Sequence, residues 1–312
     1  MKVIPKLLLS FFLLGCSSQS PSGADAKSGR LNILSTTAMI HDIVSEIGGE
    51  DVDTHCLIVG NLDPHSYELV KGDDEKFSRA DLIFYNGLGL EHGASLLKQL
   101  KSQPSAIGLG DRLFAEDPKA FLVIEDQLDP HFWMDVSLFS RIIDPIVEAL
   151  QEKDPNHAAF YKERGEILRE KMIQTDQRLF EKVQTIPEEK RYLVTSHDAF
   201  FYFTRRYLAQ GEETDWEERF MAPEGLAPDG QMSLLDIEET VNFLCAHEVP
   251  VVFPETNINR DALKKIVSIC KEKGRPVRIA QVPLYGDAMG TKTYLEMIEH
   301  NANVLKEQLI KE

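Results

Sequence analysis

Cysteine is scarce in this 312-residue chain, and no two of Cys16, Cys56, Cys245 and Cys270 are close enough to form a thiolate metal knuckle. Long apolar runs are scarce as well. The stretch from Leu7 to Leu14 is too short to cross a bilayer at about 1.5 Å per helical residue. Basic charge is the third shortage. With 34 Lys and Arg against 51 Asp and Glu, the formal charge is -17, which argues against nucleic acid or an anionic lipid surface as partner and mildly favours the approach of cations.

What the N-terminus does contain is processing information. In MKVIPKLLLSFFLLGCSSQS, Lys2 and Lys6 precede the apolar run, and Leu13-Leu14-Gly15-Cys16 resembles the bacterial lipobox. Residues 1–15 are therefore expected to be a signal peptide, Cys16 a lipid anchor, and residues 16–30, small and polar, a flexible tether. The expected location is extracytoplasmic and membrane-anchored. Loss of residues 1–15 removes two lysines and takes the charge from -17 to -19. Export permits a disulfide, for which Cys245 and Cys270 are the expected pair, leaving Cys56 as an unpaired buried thiol.

About 297 residues then remain, enough for two domains. Strand and helix alternate in the first part: strands at 31–36, 53–59, 80–85 and 106–109, helices at 38–47 and 91–100. Helical spacing covers 136–150. Asp154-Pro155 opens a charged stretch, with Gly165 its only glycine, that predicts a connecting helix to about residue 184 and about 45 Å long. The alternation then resumes, with strands at 192–195, 249–253 and 277–281 and helices at 199–208, 233–243, 261–273 and 292–310. The fold class is α/β: two similar lobes of mainly parallel sheet flanked by helices, residues 31–153 and 185–312, joined by the 154–184 helix. A cleft between them is the default ligand site.

Chemistry concentrates at loops. Asp-Pro-His occurs twice, at 63–65 and 129–131, and His197 follows the strand-like Val194-Thr195. Proline stiffens the turn that presents the next histidine, and neutral imidazoles suit late first-row metal ions. The other histidines, His41, His55, His92, His157, His247 and His300, carry no such context.

Taken in order, NLDPHSYE (61–68), DPHFWMD (129–135), SHDAFFYF (196–203) and LYGDAMG (284–290) resemble the substrate-binding proteins of bacterial ABC transporters for zinc, manganese and iron. The resemblance covers nearly the whole chain after residue 30. It implies one divalent transition-metal ion per chain in the interlobe cleft, held by His65, His131, His197 (glutamate in some relatives) and Asp287. It also implies delivery to a membrane permease, with no catalysis and a monomeric chain. Asp63, Asp129, Asp198 and Glu255 are candidates to orient the imidazoles, while Glu255 and Asn257 are candidates to line the cleft. The family's zinc-type members often carry a His-rich acidic loop. Residues 110–127 hold no histidine, which inclines the expectation toward manganese or iron. Two other classes use the same residues: a zinc hydrolase, for which Glu255 is the one candidate base, and a surface adhesin or structural lipoprotein locked by metal.

Overall fold

Four parallel strands, β1 (Leu31–Ser35), β2 (Val52–Cys56), β3 (Leu82–Tyr85) and β4 (Ala106–Gly108), form the sheet of the first lobe in the order β2-β1-β3-β4. The computed structural model describes residues 29–211, 213–226, 232–290 and 292–310. The signal and tether expected at 1–30 fall almost wholly outside these residues. Helices α1 (Ala38–Gly48), α2 (Asp73–Arg79), α3 (Ala94–Ser102) and α4 (Leu109–Glu116) connect or follow the strands. α1 buries Met39, Ile40, Ile43, Val44 and Ile47, the i, i+3, i+4 face that its sequence spacing dictates. No described helix is long and apolar enough to cross a membrane.

A short antiparallel hairpin, β5 (Val123–Ile124) and β6 (Gln127–Leu128), precedes the second Asp-Pro-His. The helix expected over 136–150 is broken into α5 (Val136–Phe139), a 3₁₀ turn and α6 (Ile143–Lys153). Pro145 lies in the first turn of α6, where its missing N–H costs nothing, so a fresh helix start suits it better than a helix interior. α7 (Ala158–Gln184) is the long connecting helix, 27 residues and about 40 Å. A 3₁₀ turn at Pro155–His157 precedes it. Its buried stripe mixes Leu168, Met172, Leu179 and Val183 with Gly165, Thr175 and Asp176, which explains the weak apolar periodicity. Gly165 lets α6 approach: a Cβ there would come within 2.8 Å of Val147 Cγ2.

The second lobe is built on two parallel pairs, β7 (Leu193–Val194) with β8 (Phe220–Met221), and β9 (Val251–Val252) with β10 (Arg278–Ile279). The Phe253 N–H donates to Val194 O at 2.8 Å and joins the pairs edge to edge. α8 (Phe201–Phe203) runs into a π turn at Thr204–Leu208, so the regular helix expected over 199–208 is replaced by a wider one. α9 (Leu234–Ala246), α10 (Asp261–Glu272) and α11 (Tyr294–Ile310) complete the lobe. One apolar core runs from Ile33 and Phe84 through Leu168 and Met172 of α7 to Phe253 and Leu305, so the lobes share buried surface.

The expected disulfide is absent. Cys245 and Cys270 are both thiols, meeting between α9 and α10 as a thiol–thiol contact, and that contact adds to burial in raising the Cys270 pKa. Cys56 is a partly buried thiol that donates to Ile58 O at 3.2 Å, and burial pushes it up to about 11.

Candidate metal centre

Both Asp-Pro-His turns use their aspartate in the same way. The Asp63 carboxylate accepts the His65 backbone N–H at 2.8 Å, and Asp129 accepts that of His131 at 2.9 Å. Each turn is thus closed by its own carboxylate, an Asx-type turn that fixes the histidine backbone. Asp129 goes further, with Oδ1 also 2.7 Å from His131 Nδ1. The His65 carbonyl accepts the N–H groups of His92 and Gly93 at 3.1 and 3.0 Å, which anchors its loop to the first lobe.

His197 stands just beyond β7, where the ladder continues as a single bridge to Glu224. Glu255, in the equivalent position beyond β9, accepts the backbone N–H groups of Ser196 and His197, both at 3.0 Å, through Oε1. Its Oε2 lies 2.7 Å from His197 Nδ1. Asp287 follows Gly286, and its Oδ2 accepts from Asn257 Nδ2 at 3.2 Å.

These four side chains converge. His65, His131, His197 and Asp287 are 0–4% exposed, and one candidate donor atom from each lies within 4.8 Å of all the others. The imidazole centroids are 5.1, 5.4 and 6.2 Å apart. Nε2 of His65 is 3.2 Å from Nε2 of His131. The Asp287 carboxylate splits its oxygens, Oδ1 at 3.5 Å from His131 Nε2 and Oδ2 at 3.1 Å from His197 Nε2. Three nitrogens and a carboxylate at these spacings match the donor set that transition ions take. Asp287 Oδ1 accepts no hydrogen bond among the described residues, although it is fully enclosed. A buried, unsatisfied carboxylate oxygen is costly, and a cation in the cluster relieves it.

Residues 33–308 match the family described as zinc-uptake complex component A, periplasmic. The chain belongs to that family. It is 45% identical to the metal-binding protein YtgA of Chlamydia pneumoniae over 300 residues, 95% of this chain and 90% of that one. The crystal structure of Fe(III)-bound YtgA from Chlamydia trachomatis aligns with a TM-score of 0.86 at 40% identity, over 90% of this chain and 98% of that one. The periplasmic zinc binding protein TroA from Treponema pallidum aligns at 0.82 and 28% identity, over 91% and 100%. Members of the zinc-uptake component A family work outside the cytoplasm, capture a transition metal and pass it to an ABC permease. They are binding proteins, not enzymes.

Within this family frame the electrostatics of the cluster have a clear sense. Burial holds the His65 imidazole well below its usual range, with Asp287 opposing and the neighbouring histidines reinforcing. Burial also acts to lower His197, but Glu255 and Asp287 outweigh it and hold His197 well above the ordinary range. Burial would raise Asp287, and the attraction of His197, His65 and His131 instead drives it far below the ordinary carboxylate range. Without metal, these shifts favour the charged imidazolium of His197 facing an ionised Asp287.

Of the four carboxylates expected to orient imidazoles, Asp129 and Glu255 do so. Asp63 holds backbone and Ser66 instead. Asp198 lines an adjoining cavity of about 670 Å³ together with Glu125, Glu217, Glu224, Asp236 and Glu239. Part of the loop after the third histidine, residues 227–231, lies outside the described residues. Of the histidines without motif context, His92 packs beside the cluster, its ring 5.7 Å from that of His65, without joining the four, while His157 pairs with Asp154, His247 stacks on Tyr192, and His300 contacts Pro283 O.

Sequence reasoning missed Asn86, whose Nδ2 donates to Pro130 O at 3.0 Å and clamps the second Asp-Pro-His from behind. The signal was present in Asn86-Gly87-Leu88-Gly89. Gly87, Leu88 and Gly89 all have positive φ, at 76°, 56° and 82°, a backbone course that favours glycine. Glu91, 3% exposed, holds this turn by accepting the Asn86 and Gly87 N–H groups and the Thr36 hydroxyl.

Proposed function

We propose that this chain captures one transition-metal ion through Nε2 of His65, His131 and His197 and the carboxylate of Asp287, and releases it to its permease. The observation that carries the reading is the enclosure of four donor atoms within 4.8 Å of one another, with an Asp287 oxygen left without a hydrogen bond. Residues 31–153 and 185–312 are the two lobes of this capture device, and residues 154–184 the strut between them. Cys16 carries the lipid anchor, and the chain works as a monomer.

Several ions fit three imidazoles and a carboxylate, and the Irving–Williams order lets zinc occupy such a site whatever the cargo. The Fe(III)-bound state of the Chlamydia trachomatis relative places iron, with manganese and zinc, among the cargoes to be tested. The absence of a His-rich loop in 110–127 inclines the proposal to iron or manganese. Glu255, the one candidate base for a hydrolase, is committed to His197 Nδ1 and two backbone N–H groups. That occupation favours capture over hydrolysis. The test is elemental analysis of the protein taken from its native membrane, with Asp287→Ala and His131→Ala beside it. One iron or manganese per wild-type chain, lost in both variants, is expected. Wild-type protein without stoichiometric metal, or variants that keep it, would overturn the assignment.

A further inference from the structure

The two halves of the cluster are joined by a side chain that supplies no donor atom to it. His131 opens a 3₁₀ turn, Phe132–Met134, which places the Trp133 indole beside it. The two rings are 5.1 Å apart at 65°. Trp133 is 1% exposed, and its Nε1–H crosses to the second lobe and donates to Gly286 O at 3.1 Å. Gly286 is the residue before Asp287. The Trp133 carbonyl is fixed in turn by the Tyr294 hydroxyl, which donates to it at 2.7 Å.

On its other side Gly286 has no room to give way. A Cβ there would stand 2.2 Å from Glu255 Oε2 and 3.2 Å from His197 Cε1. The peptide leading into Asp287 is thus held between the indole of one lobe and the Glu255–His197 pair of the other. The Asp287 carboxylate reaches the imidazoles from that peptide's Cα through only two rotatable side-chain bonds, so fixing the peptide limits how far it can drift. We propose that Trp133 is a positioning residue for the metal site, setting the distance of Asp287 from the three histidines through its hydrogen bond to Gly286. The proposal rests on the ligand set given under the proposed function.

Its signature is selectivity. Mn²⁺, the harder ion, depends more on the carboxylate oxygen than Zn²⁺, which binds imidazole strongly. Loss of the indole hydrogen bond leaves the Gly286 carbonyl buried and unpaired and frees the peptide. In the full-length protein, Trp133→Phe is expected to weaken Mn²⁺ binding about tenfold and Zn²⁺ binding about threefold or less, measured by chelator competition. A merely structural role would weaken both alike, and equal losses or unchanged affinities overturn the proposal. Wild-type protein that binds neither ion sinks the metal reading itself, a separate outcome.

A second measurement does not require the Trp133 variant to fold. The chain has two tryptophans, so Trp216→Phe labelled with ¹⁵N-tryptophan reports Trp133 alone. Its indole N–H is expected to be protected from exchange without metal, and to shift and gain protection on Zn²⁺ loading. An indole N–H that exchanges freely, or ignores zinc, also overturns the proposal.

Discussion

Glu255 grips His197 at two places, with Oε2 2.7 Å from the ring Nδ1 and Oε1 accepting the His197 backbone N–H at 3.0 Å. Ring and backbone are therefore oriented by one carboxylate, which directs Nε2 to the cluster and enriches the imidazole as a donor. Glu255→Gln keeps the shape and a single acceptor oxygen but loses the charge. Metal affinity is expected to fall about 10- to 100-fold, the usual range for such a partner. Chelator competition measures it, and a loss below about threefold would mean that the grip is dispensable.

The proton on metal-free His197 makes capture pH-dependent. Burial opposes that proton, but Glu255 and Asp287 outweigh it, so the folded value lies well above 6.5. Without metal, this group adds stability that is fully present below about pH 6.5 and is lost as pH rises through the raised value. Asp287 has the opposite sense: its depressed value adds stability present above about pH 4 and lost as pH falls. With His197 as a donor in the proposed site, metal displaces its proton, so apparent affinity is expected to rise about tenfold per pH unit above 6.5 until the raised value is passed. Calorimetry in buffers of different ionisation enthalpy should find about one proton released per ion bound at pH 7. No proton release would contradict the charge state assigned to His197.

The four candidate ligands were legible because each lies in a short local pattern. Asp63-Pro64-His65 and Asp129-Pro130-His131 close on their own carboxylates, and a turn made by neighbours leaves its mark in the sequence. The broken helix at 136–153 was less legible, since its apolar spacing runs on while only Pro145 marks a new start. α2, Asp73–Arg79, escaped notice because it buries only Asp73 and Phe77. The contacts from Trp133 to Gly286 and from Asn86 to Pro130 join residues 153 and 44 positions apart and follow no sequence periodicity. They belong to tertiary packing.

The loops that carry the histidines are not held equally. Asp129 and Glu255 each meet a ring Nδ1, whereas the His65 ring has no carboxylate at that position among the described residues. The His131 loop is tied to the second lobe by Tyr202, whose hydroxyl donates to Asp129 O at 3.1 Å, and by Trp133. The backbone of the His65 loop bonds within its own lobe. Hydrogen exchange in residues 61–68 is therefore expected to slow more on metal loading than in 129–135. Equal protection of both loops would remove this asymmetry.

Asp176 of α7 fixes the π turn that follows the His197 loop and stands outside the cluster of candidate donors. Its carboxylate takes both Arg206 Nε, at 3.0 Å, and a terminal guanidinium nitrogen, and it accepts the Tyr207 hydroxyl at 2.8 Å. Tyr207 in turn accepts the Val136 N–H at 3.2 Å, so the hub joins strut, second lobe and first lobe. Asp176→Ala strands a partly buried guanidinium and a buried hydroxyl, a loss of about 3 kcal/mol. All four candidate donors remain, so the variant should still bind metal stoichiometrically. Metal loading should restore part of the lost stability, about 2.7 kcal/mol when free ion is 100 times the dissociation constant. Thermal unfolding with and without ion separates the two effects. A variant as stable as wild type without metal would show that the Asp176 hub adds nothing to holding the lobes together.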